Sequence, residues 1–86
     1  VTDDPELERL HEIVLSLLKM RDERLTIHDF RMTIGKENVN LLFDIVLPQE
    51  LLGQEKEIQT SLEKALNSIE DKTYFTIITF DIGFNS

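Results

Sequence analysis

Apolar residues early in the chain recur at helical spacing: Leu7, Leu10, Val14 and Leu17, with Ile13 and Leu18 widening the stripe. Pro5 suits a first helical turn, where its missing N–H would have no partner anyway, and Asp4 precedes it as a cap. The pattern predicts a helix from about Pro5 to Met20 that buries a broad face. Arg21-Asp22-Glu23-Arg24 then connects to Leu25–Ile34, rich in β-branched and large apolar residues and therefore a strand. Its alternation breaks once. Leu25 and Ile27 share one parity, Phe30, Met32 and Ile34 the other, so a bulge or twist near His28-Asp29 is expected.

Gly35-Lys36-Glu37-Asn38 carries hairpin-turn residues, and Val39, Leu41, Phe43, Ile45 and Leu47 then alternate cleanly as a second strand. Its other face, Asn40, Leu42, Asp44 and Val46, is only half polar. Pro48 to Gly53 reads as a loop, and Gln54 to Ile69 as a helix with the stripe Ile58, Leu62, Ala65, Leu66 and Ile69. After a turn, Tyr74 to Ile82 forms a last strand, with Tyr74, Thr76, Ile78, Phe80 and Ile82 on one face and Phe75, Ile77, Thr79 and Asp81 on the other. The order is α-β-β-α-β. A three-stranded mixed sheet with both helices on one face would make a two-layer α+β sandwich.

Length and charge narrow the function classes. Eighty-six residues suit a single domain, 1–86, with one core and modest stability of its own. Its start at Val1 rather than Met suggests a piece of a longer protein, cut at a linker near Thr2-Asp3-Asp4-Pro5. Seventeen acidic residues against nine basic ones give a net charge of -8, which repels phosphate backbones and argues against nucleic acid. With no cysteine, a metal here would rely on histidine, carboxylates or water. No apolar run is long enough for a membrane span. Phosphate-binding glycine loops, nucleophile triads and HExxH helices are also missing, so an enzyme is not expected.

Two helices can cover only one face of such a sheet, yet both faces of the second and third strands carry large apolar groups. The other face, with Asp44 and Asp81 among Leu42, Val46, Phe75 and Ile77, is therefore expected at a subunit interface.

Asp4-Pro5-Glu6-Leu7, Ile27-His28-Asp29-Phe30-Arg31, the glycine turn, Phe43-Asp44-Ile45-Val46-Leu47-Pro48, the second helix and a last strand ending in Asp81 together resemble a known family. This is the cytoplasmic C-terminal domain of cation diffusion facilitator transporters. The His-Asp-hydrophobic-Arg block is the most specific part, and the likeness spans almost the whole chain. It implies a fold similar to small metallochaperones, a homodimer, and attachment to a transmembrane domain of the same chain that exchanges a divalent cation for protons. It also implies metal at the dimer interface in many members.

Carried across, the family's metal positions fall at His28, Asp44, Glu57 and Asp81, with a further histidine position at Thr79. Imidazole is depleted in this set. One histidine with several carboxylates shifts preference from zinc towards harder ions such as manganese or iron(II). The alternative is a metal-free member whose polar residues bridge or cap the dimer. The same residues also have plainer roles. His28 would be a hydrogen-bonded strand histidine, Asp29 a partner for His28 or Arg31, His11 a half-solvated surface residue, and Glu57 a complement to the helix dipole. An unrelated small-molecule-sensing α+β domain would share the outline.

Overall fold

Asp4 caps the first helix as its sequence position suggests: its carboxylate accepts from the Glu6 and Leu7 N–H groups at 3.1 and 3.3 Å. The structure, a computed structural model, describes residues 4–83, so Thr2 and Asp3 of the expected linker lie outside the described residues. Helix α1 spans Pro5–Arg21, with Glu6 and Glu8 in its first turn and Lys19 and Arg21 in its last, both matching the helix dipole. Leu10, Val14 and Leu18 are its fully buried positions, flanked by the partly buried Ile13 and Leu17.

Strands β1 (Thr26–Ile34) and β2 (Asn38–Leu47) form an antiparallel hairpin, and β3 (Thr73–Ile82) runs parallel to β2 on its other side. A parallel pair needs a crossover, which helix α2 (Glu55–Ile69) supplies. A short 3-10 turn, Gln49–Leu51, and Gly53 lead into it. Gly53 adopts φ 96°, a conformation that a side chain would strain. The observed α-β-β-α-β order and three-stranded mixed sheet are those the hydrophobic pattern predicts.

The core lies between the helices and one sheet face. Val39, Leu41, Phe43, Ile45 and Leu47 are buried along β2, against Leu10, Val14 and Leu18 of α1 and Ile58, Leu62 and Leu66 of α2. Ile69, placed in the α2 stripe by its spacing, is instead 56% exposed at the end of the helix. Arg9 ties the layer together, bonding Glu6 on its own helix and Glu70 just beyond α2 at 2.7 and 2.8 Å.

The break in β1 alternation is a bulge. His28 pairs with Asp44 and Arg31 with Leu42, so Asp29 and Phe30 together stand opposite Phe43. Asp29 takes the left-handed conformation, φ 56°, that aspartate tolerates better than most residues. The extra residue lets Phe30 turn inward, its ring 5.3 Å from that of Phe43, while Ile27 still faces the core. None of the described helices is long and apolar enough to cross a membrane.

Candidate functional site on the uncovered sheet face

Strand register fixes what the second sheet face displays. Across β1, β2 and β3 the rows read Thr26-Val46-Asp81, His28-Asp44-Thr79, Arg31-Leu42-Ile77 and Thr33-Asn40-Phe75. The bulge is what brings His28 and Arg31 onto this face together, since they are an odd number of residues apart. Neither helix covers it. Phe75 and Ile77 are 46% and 55% exposed, and Leu42 and Val46 beside them are only partly buried.

Of the four residues expected to hold metal, the structure brings three to this face. His28 and Asp44 are register partners, whose Cβ atoms in an antiparallel pair stand about 5 Å apart. Asp81 is paired with Val46, one row further along β3. Glu57 is elsewhere: it lies on α2, in the helical layer, where Arg21 donates to its carboxylate at 3.0 Å. Among the described residues no three histidine or carboxylate side chains converge closely enough to hold an ion. The fourfold set therefore does not fit a cation within one protomer.

The Asp29 carbonyl, not its carboxylate, accepts from the Arg31 side chain at 3.2 Å. His11 sets its ring edge-on against Phe30 at 5.2 Å, on the helical side of the sheet. Thr79 stands beside Asp44.

One polar row escaped sequence reasoning. Gln59, Glu63 and Asn67, each one residue after a buried position of α2, reach the outer edge of β3. The Asn67 side chain accepts from the Tyr74 N–H at 2.7 Å and donates to its carbonyl at 3.0 Å, imitating a neighbouring strand. Glu63 accepts from both the Thr76 N–H and hydroxyl, at 2.6 and 2.8 Å, and Gln59 donates to the Thr76 carbonyl at 2.8 Å. The spacing by fours was visible, but it reads as an ordinary solvated face until β3 is known to lie alongside.

A concavity of about 620 Å³ opens at the carboxyl ends of β2 and β3 and includes Arg24, Pro48, Glu50 and Ile82. Among the described residues its one cation, Arg24, is engaged by Asp22 and Glu50 at 3.0 and 3.2 Å. The Arg24 guanidinium first, and then the Arg24 backbone N–H, hold the Asp22 carboxyl down at a pKa of about 2. No protein-family model matches the chain, and no curated protein or solved structure shows significant similarity to it.

Proposed function

We propose that the chain is the cytosolic dimerisation and regulatory domain of a divalent-cation efflux transporter, paired with its own copy through the uncovered sheet face. The family resemblance suggests the transporter setting. The pairing rests on one observation: Leu42, Val46, Phe75 and Ile77 form an apolar surface that neither helix covers. Leu42, Ile77 and Phe75 adjoin across β2 and β3, with Val46 beyond the His28-Asp44-Thr79 row, and exposed apolar side chains grouped in this way on a small domain favour association. Asp44 and Asp81 sit inside that surface, so pairing crowds carboxylates that a cation between protomers would neutralise. Manganese, iron(II) and zinc are the ions whose chemistry suits the available donors.

A second reading, a metal-free dimerisation module, is favoured by the placement of Glu57 against Arg21 and by the lack of convergence of His28, Asp44 and Asp81 within one protomer.

Sedimentation equilibrium tests the pairing. A chain whose self-association Ile77→Glu weakens supports it, and a chain that stays monomeric when concentrated, or whose association that variant leaves unchanged, refutes it. Calorimetric titration with manganese, iron(II) and zinc separates the two readings. Heat and stabilisation that Asp44→Ala abolishes support metal sensing, whereas no heat with any of the three leaves the metal-free module.

A further inference from the structure

A different part of the sheet, the outer edge of β3, leaves backbone groups without partners among the described residues. Both outer strands present backbone groups, and unpaired strand edges are templates for adding another strand. The edge of β1 is interrupted by its bulge. On β3, residues 75, 77, 79, 81 and 83 turn their N–H and C=O groups towards β2, as the Gly83 N–H bonding the Leu47 carbonyl at 2.9 Å shows. Tyr74, Thr76, Ile78, Phe80 and Ile82 therefore direct theirs outward. The α2 side chains take up those of Tyr74 and Thr76. The row then stops: four residues before Gln59 comes Glu55, whose carboxylate is turned back to the Gly53 N–H at 2.9 Å. Among the described residues nothing accepts from or donates to the outward groups of Ile78, Phe80 and Ile82.

The exposed half-edge reads Ile78-Thr79-Phe80-Asp81-Ile82, and its polarity is the same in both directions about Phe80. We propose that this segment pairs antiparallel with the same segment of a second copy, about a two-fold axis at Phe80, joining two sheets edge to edge. A two-fold axis demands a self-complementary surface, and a sequence symmetric in polarity meets that demand.

In this register Ile78 of one copy opposes Ile82 of the other, and the two Phe80 rings meet on the helix side. On the opposite side Thr79 faces Asp81, so no carboxylate stands directly across from another. Each outward-facing pair exchanges two N–H···O bonds. The alternative axis at Thr79 would set Ile77 against Asp81, mixing grease with charge. A net charge of -8 on each copy opposes the approach, so added salt strengthens the pairing.

This contact uses the strand edge and not the sheet face, so it stands or falls separately from the function proposed above. Residue-resolved amide hydrogen exchange of the whole chain, dilute and concentrated, tests it. The expected result is slowing by about tenfold at the Ile78, Phe80 and Ile82 amides on concentration, with Tyr74 and Thr76 protected throughout. Thr79→Asp, which sets carboxylate against carboxylate, weakens the effect, and Thr79→Lys strengthens it. Ile82→Pro removes one outward N–H without touching the β2 ladder and abolishes it. Concentration-independent exchange at these three amides overturns the proposal, as does equal behaviour of the two Thr79 variants. Association that perturbs Phe75 and Ile77 side chains without slowing the edge amides overturns it too, and leaves the sheet-face dimer standing.

Discussion

Glu63→Ala tests whether α2 secures β3 through polar contacts as well as through its apolar stripe. Thr76 is 6% exposed, and its N–H and hydroxyl both donate to one Glu63 oxygen, at 2.6 and 2.8 Å. Truncation orphans the N–H, while the hydroxyl keeps its contact with Gln59 at 3.1 Å. Hydrogen bonds to a charged partner contribute roughly 1.5–3 kcal/mol, and a buried donor without an acceptor costs a comparable amount. The two terms overlap, so the expected loss is about 2–3 kcal/mol. Alanine is the better helix former by a few tenths of a kcal/mol, which acts against the loss and cannot produce it.

For a domain of this size the loss corresponds to a fall in Tm of roughly 8–20 °C. Urea unfolding followed by circular dichroism should show a lower midpoint with an unchanged slope. Glu63→Gln, which retains a neutral acceptor, should lose about half as much. A loss under about 0.5 kcal/mol, the range of an ordinary surface substitution, would refute the reasoning and leave the α2 stripe as the whole attachment.

Tyr74 is the sole tyrosine, so tyrosinate absorbance reads it alone. Burial first, and then the neighbouring Glu70 carboxylate, push its phenol above the ordinary 10.0. Because the folded value is raised, this group's share of stability is complete below pH 10.0 and is lost as pH rises towards the folded value. The folded protein should be less than half ionised at pH 10.0, and Glu70→Gln should bring the midpoint down without restoring the ordinary value. Ionisation at the ordinary value with the fold intact would contradict the burial argument. At the bulge, Asp29→Val should cost about 1–2 kcal/mol because a β-branched residue resists the left-handed conformation, whereas Asp29→Gly should be neutral or stabilising. Urea unfolding of both variants checks the contrast, and equal losses would mean that the Asp29 side chain, not its backbone, matters there.

Elements whose evidence is local were legible in the chain. Proline after an aspartate cap, clean alternation from Val39 to Leu47, and the parity break at His28-Asp29 each state a local backbone requirement, and each element stands within a residue or so of its expected ends. The face shared by Asp44 and Asp81 also followed from parity, while the place of His28 on it depended on the bulge. Two matters did not follow, because both depend on packing between distant segments. Glu57 has the same surface character whether it points to the sheet or to Arg21, and only the crossing of α1 over α2 decides. Gln59, Glu63 and Asn67 gain their role from the position of β3, ten or so residues further along.

Asp29 gives β1 a built-in phase change, and this makes the hairpin unequally tolerant of length variation. Removing Asp29 would restore strict alternation and still leave Leu25, Ile27, Phe30 and Met32 on one face, whereas losing a residue from the regular stretch after Phe30 would turn part of the strand over and send apolar side chains into water. The exposed tip, Gly35 to Glu37, bears no such constraint. Reporter peptides or spectroscopic labels that need extra chain belong at that tip, where added length leaves inside and outside unchanged.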